Sequence, residues 1–300
     1  MPVIVIARGA RKIMPFTPAL LFVDGLSYGM ILFLISSGLT VTLGIMRLLN
    51  MAHLGFAMLG GYAALAIMRT FRVELFVALP FAVLAVIILG IALERSIFQW
   101  VYRTNPLGQI LMTIGLMFVM VASANLMFGS VYYTLPIPES LKGVWHIGGY
   151  SISVYRVFVG LVSAVVALLM WCALEFTNFG AKLRAAVENP QMARCVGINV
   201  KLLFSQAFAA GCGLAAFGGI LGTQMLPLQP FYPTQYIVLA LIVVAVGGFG
   251  SLAGSLVAAV TYGVFDTFCR YYFPEYGSFA IYILLAAVLI IRPNGLFGGS

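Results

Sequence analysis

Charge is what this sequence has least of. Its 300 residues include 16 Lys and Arg against 8 Asp and Glu, so 8% are charged while 63% are hydrophobic, and the mean hydropathy is +1.09. Soluble domains carry about 25% charged residues, and a core of this size does not need so much apolar surface, so a soluble globule is excluded. Histidine and cysteine are also scarce. His53 and His146 lie far apart, and Cys172, Cys195, Cys212 and Cys269 form no CxxC. That spacing supports neither a zinc site nor a disulfide framework, and buried or membrane-facing thiols are expected. No Gly-Lys dipeptide is present, hence no phosphate-binding loop, and no HExxH occurs. The chain is therefore expected not to be an enzyme, with no catalytic residues, no metal ligands and no cofactor of its own. The net charge of +8 is spread over short segments between apolar blocks, which excludes a nucleic-acid groove.

What the sequence does have is long apolar blocks, at 20–44, 52–68, 75–93, 107–128, 154–175, 202–226, 236–249, 252–269 and 278–291. Several approach the ~20 residues that span a hydrocarbon core as a helix. The expected fold is all-α, a polytopic transmembrane helical bundle of about 8–10 spans with glycine-broken or re-entrant segments. Arg8, Arg11 and Lys12 precede the first block, which is too long for a signal peptide and shows no clear cleavage site, so it is read as a retained membrane segment.

The segments between blocks set the orientation. Residues 94–106 and 176–201 carry a basic excess and are expected in the cytoplasm, and 129–153, with Lys142 as its one basic residue, outside. By the same count 227–235 lies outside, Arg292 inside, and 69–74 outside despite Arg69 and Arg72. The count leaves two readings of the start: a re-entrant segment in the first two blocks, or an external N-terminus.

Residues 177–201 are too polar to span and too rich in helix formers to be a loose linker. Lys182–Glu188 predicts a short helix with Leu183 and Val187 on one face. Asn189-Pro190 predicts a second start, Asn as N-cap and Pro at the first helical position. Gln191–Val196, with Met192 and Val196 four apart, ends at Gly197, where a left-handed cap is wanted. Helices this short must pack on something, either the membrane face of the same protein or a partner subunit.

Gly180, Arg184-Ala185, Glu188-Asn189, Ala193 and Gly197-Ile198-Asn199 together resemble the cytoplasmic coupling loop of branched-chain amino acid ABC transporter permeases. Gly44–Tyr62 is similar to that family's segment after its first helix, Val246–Gly254 to its glycine-serine motif near the C-terminus, and the ending Arg292-Pro293-Asn294-Gly295-Leu296-Phe297-Gly298 to its own. The resemblance runs in matching order over nearly the whole chain. It implies a single transmembrane permease domain over 1–300, multi-pass in the cell inner (cytoplasmic) membrane, working in an importer. It also implies two ABC ATPase subunits that bind ATP-Mg, a second permease subunit, homologous to this one, and an extracytoplasmic solute-binding protein. Gly180, Leu183, Arg184, Val187, Glu188, Asn189, Met192, Ala193 and Gly197 would then couple the ATPases to the bundle. The implied substrate is a branched-chain amino acid. His53 is followed here by Leu54-Gly55-Phe56, where the family usually has glycine and then an acidic or polar residue, so urea, short amides or aromatic acids are the alternative.

Transporters place substrate where helices are interrupted in corresponding positions. Two such segments occur, one with Asn50, His53, Gly60 and Gly61, the other with Gly247, Gly248, Gly250 and Ser251. These, with the intramembrane Asp266, are the candidate substrate pathway; close helix packing through small residues is the plainer reading of the glycines, and an i,i+4 pair with Arg270 the plainer reading of Asp266. Asp24 is the other acid inside an apolar block. A secondary transporter or channel would need more intramembrane charge than these two acids, and an intramembrane enzyme has no constellation to work with.

Overall fold

The computed structural model describes residues 17–46, 49–101, 104–147, 150–275, 277–292 and 295–297. Arg8, Arg11, Lys12, Pro293, Asn294 and Gly298 lie outside them. Each of the nine apolar blocks forms a helix. In chain order the helices are α1 (Thr17–Met46), α2 (His53–Phe71) and α3 (Leu75–Leu93), which continues through a π turn at Glu94–Phe98 into α4 (Gln99–Val101). Then come α5 (Pro106–Phe128), α6 (Val154–Phe176), α7 (Asn178–Glu188), α8 (Pro190–Cys195), α9 (Val200–Gly222), α10 (Tyr232–Gly247), α11 (Leu252–Tyr272) and α12 (Gly277–Ile291). Among the described residues, seven helices are long and apolar enough to cross a bilayer. Helix α10 has 16 residues and α12 has 15, so at 1.5 Å per residue they reach only about 24 Å of a hydrocarbon core about 30 Å thick.

Between α5 and α6, where sequence predicts only a polar connection, a β hairpin forms: β1 (Val144–Ile147) pairs antiparallel with β2 (Tyr150–Ser153), Trp145 opposite Ile152. Nearby, Tyr133 exchanges backbone hydrogen bonds with Leu228 and so ties this connection to the one between α9 and α10.

The bundle is built round α1, which packs most extensively on α11 and α9 and also touches α6, α10 and α2. Its small residues make this possible. Gly25 meets the Val264 backbone, Gly29 the Ala259–Val260 backbone and Gly44 the Gly250 backbone, all along α11 or at its start. Thr40 and Ser255 hydroxyls bond across the same seam at 2.9 Å. Without an apolar driving force between helices in lipid, such close backbone contact and interhelical hydrogen bonds supply the association. Outward faces of α5 and α6, with Leu126, Met127, Leu161 and Leu169, stay exposed, as a lipid-facing surface requires.

The course of α1 relates the two faces of the bundle. Asp24, near its beginning, pairs with Arg156 at the beginning of α6, just after the hairpin. Val41, near its end, packs with Leu174 and Leu183 at the α6–α7 junction. With the α7–α8 face called inner and the hairpin face outer, α1 starts at the outer face. Helix α2 then begins inside the bundle, with His53 against Gly38 of α1, several residues short of α1's inner end. Arg69 at the outer end of α2 stacks 4.9 Å over the Tyr133 ring, which accounts for a basic residue on that face.

Candidate functional site

Two cavities mark the ends of the α1–α11 seam. The inner one is a cleft of about 420 Å³ between α1, the end of α6, α7 and the start of α11. Gly180, Leu183, Arg184, Val187 and Glu188 line it from one side, Gly250 and Ser251 from the other. Two stretches read separately from sequence, the loop and the glycine-serine segment, therefore meet at one place.

Local chemistry holds the loop in position. Thr177 caps α7 through the Gly180 amide, and a side chain at Gly180 would overlap the Leu174 carbonyl, so α7 lies directly against the end of α6. Arg184 Nη1 donates to that carbonyl at 2.5 Å and to Glu175 Oε2 at 3.3 Å, a cation at a helix C-terminus where the dipole favours it. Asn189 Oδ1 accepts from the Gln191 and Met192 amides and so starts α8; Gly197 ends it at φ +84°. Leu183, Ala186 and Ala193 bury against Val200, Leu203 and Ala207 of α9. The loop thus packs on its own bundle. On α8 the inward residue is Ala193, while Met192 and Val196 stand 66% and 76% exposed. Glu188 makes no ion pair among the described residues.

At the other end of the seam lies a chamber of about 500 Å³ bounded by α1, α6, α10, α11, α12 and the segment that follows α9. Asp24 and Arg156 pair at 2.6 Å across its wall, and Asp266 Oδ2 accepts from Arg270 Nε at 2.7 Å. The i,i+4 pairing expected for Asp266 is present, and the residue also lines the chamber. Gln224, another lining residue, donates to the Leu135 carbonyl at 2.7 Å and anchors the outer connection.

The remaining pathway candidates lie between these cavities. Asn50 is fully buried, its Oδ1 accepting from the Ala52 amide at 3.0 Å, and Thr113 of α5 accepts from the Met51 amide at 3.3 Å. Among the described residues, neither ring nitrogen of buried His53 has a partner within hydrogen-bond geometry. Gly60 packs on Ala216, Gly61 on Leu228 and Gly247 on the Gly254–Ser255 backbone. Gly248 and Gly250 turn the chain at φ +98° and +83°. The two interrupted segments both border α1, but at different heights, and Asp266 sits at the far end of α11 from Ser251.

Sequence reading missed Arg156, Thr113 and Glu94. Arg156 gave a signal, an arginine inside the 154–175 block, which a search for intramembrane acids overlooks. Glu94 looked like an ordinary block end; it is 2% exposed and accepts from Ser205 of α9 at 2.9 Å.

A family model described as "Branched-chain amino acid transport system / permease component" matches residues 21–289. The high-affinity branched-chain amino acid transport system permease protein LivH of Salmonella typhimurium is 26% identical over 290 residues, 92% of this chain and 94% of that one. The corresponding protein BraD of Pseudomonas aeruginosa is 27% identical over 289 residues, with the same shares covered. Among solved structures, PsaBC from Streptococcus pneumoniae in complex with Fab is similar over 89% of each chain, at 13% identity and a TM-score of 0.47.

Proposed function

This chain belongs to the family of branched-chain amino acid transport system permease components, and on that premise we propose that it is the membrane-spanning permease subunit of an ATP-driven importer in the cytoplasmic membrane. It carries branched-chain amino acids inward after an extracytoplasmic solute-binding protein delivers them, beside a second permease subunit. ATP-Mg is bound and hydrolysed by two partner ATPases, since this sequence carries no phosphate-binding loop.

The observation that carries the reading is the docked pair α7–α8. One side is buried against α6 and α9, and the other presents Met192 and Val196 to the inner face. A partner that moves these helices moves α6 and α1 with them, because Gly180 leaves no slack against Leu174 and packed interfaces shift as bodies rather than deform. The relatives' names supply the substrate.

The test is reconstitution of the full importer in proteoliposomes. Leucine should accumulate only with ATP and the loaded binding protein, and Arg184→Ala and Glu188→Ala should each lower uptake per ATP hydrolysed. Leucine entry without ATP would overturn the importer reading, and normal coupling in both variants would overturn the role of the loop.

A further inference from the structure

The outer chamber is unusual for a membrane segment in carrying two carboxylates and two guanidinium groups, from Asp24, Asp266, Arg156 and Arg270. Their charges sum to zero. Such groups are costly at membrane depth and are kept where they pair or face a pathway. The pairing is incomplete. The Asp266 side chain is only 4% exposed, and its Oδ2 is taken by Arg270, while Oδ1 is sealed from solvent and has no hydrogen-bond partner among the described residues. A buried charged acceptor left open is destabilising and rare enough to require an explanation. Arg270 uses Nε toward Asp266 and is 56% exposed in its side chain. Its guanidinium is the kind of planar fork that matches a carboxylate. The two groups stand side by side on one turn of α11. Leu226 and Leu239 give the same chamber an apolar wall.

We propose that this chamber is the outer binding station for the transported amino acid in its zwitterionic form. The substrate ammonium pairs with the Asp266 carboxylate, deeper in the wall, once that carboxylate turns Oδ1 toward the chamber; the substrate carboxylate accepts from the fork of Arg270; its branched side chain turns to Leu226 and Leu239. Asp24–Arg156 closes the opposite wall and joins α1 to α6. The proposal rests on the importer reading and narrows it. A urea or neutral amide leaves the fork of Arg270 without an anion, and an aromatic acid leaves Asp266 Oδ1 without a donor.

The test measures radiolabelled leucine bound to the purified permease–ATPase complex by scintillation proximity, without binding protein. The competitors are leucine, leucinamide, which lacks the carboxylate, and 4-methylpentanoate, which lacks the ammonium. In the wild type each analogue should compete at least about tenfold less well than leucine, a factor in line with one lost charge-assisted hydrogen bond. Asp266→Asn should abolish the preference for leucine over 4-methylpentanoate, and Arg270→Gln the preference over leucinamide. Asp266→Glu, which keeps the charge, should retain the wild-type order. A general loosening of α11 would not produce this crossed pattern. No saturable leucine binding to the wild type, or the same competitor order in both charge-removing variants, would overturn the proposal even where ATP-driven leucine uptake succeeds. Failure of that uptake in the wild type would sink the importer reading itself.

Discussion

The two ends of the α1–α11 seam differ in how far they are finished within one chain. At the outer chamber four ionic groups from α1, α6 and α11 find each other, at 2.6 Å and 2.7 Å, and one carboxylate oxygen is left over. At the inner cleft the ion pair Arg184–Glu175 is looser, at 3.3 Å, with both side chains more than half exposed, Glu188 has no ionic partner among the described residues, and Met192 and Val196 face outward. In the proposed importer, the first region receives something small and the second is covered by something large. Between them runs a seam of backbone contacts through Gly25, Gly29 and Gly44 that behaves as a rod; the 30 residues of α1 span about 45 Å. In that importer, recognition at one end and force at the other would be joined through α1.

The largest effect is expected from breaking the rod, because that removes the contrast altogether. Valine at Gly29 or Gly44 drives a branched side chain into α11 backbone or the turn before it. Overpacking of this kind costs about 1–3 kcal/mol, so each variant should unfold at lower temperature, measured by fluorescence-detected size-exclusion chromatography after heating. Uptake should fall at both positions alike. Gly115 on α5 has open space around its Cα, and Gly115→Val should stay within about 0.5 kcal/mol of the wild type. Equal heat stability of all three variants would show that the seam is not rigid.

Sequence disclosed most where the determinants are local. Nine apolar blocks became nine helices, because burial in lipid or bundle demands backbone hydrogen bonds satisfied within the segment. The loop helices were legible down to the Asn189 cap and the Gly197 end, since both act within four residues. The glycine motifs were recognisable but not their partners. Gly44 and Gly250 are far apart in the chain, and nothing local says that they touch. Asp24 and Arg156 are separated by 132 positions, so the chamber was invisible and only Asp266 was picked out. Sequence leaves open what α8 packs on, because a six-residue helix offers little more than one turn and a half of pattern, and the buried contact goes to the small Ala193.

A middle-sized effect should separate the two regions. Asn189→Ala removes the side-chain acceptor that serves the Gln191 and Met192 amides, a loss of about 1 kcal/mol for an N-cap. Helix α8 should fray, seen as faster hydrogen exchange of the α8 amides by mass spectrometry, while exchange in α11 near the outer chamber stays as in the wild type. Matching changes in both places would mean that the loop and the chamber form one cooperative unit.

The smallest effect is also the most discriminating. Glu175→Gln leaves Arg184 bonded to the Leu174 carbonyl and removes only an exposed ionic partner, so the loss should be at most about 1 kcal/mol. Asp24→Asn cuts a shorter pair whose acid is 33% exposed. A Debye length of about 10 Å at 0.1 M salt shrinks to about 3 Å at 1 M, screening exposed pairs far more than sheltered ones. In thermal unfolding, the difference between Glu175→Gln and wild type should therefore vanish at high salt, while that of Asp24→Asn should persist. Persistence at both sites would mean that the inner cleft is as sheltered as the chamber, and that the loop needs no partner to complete it.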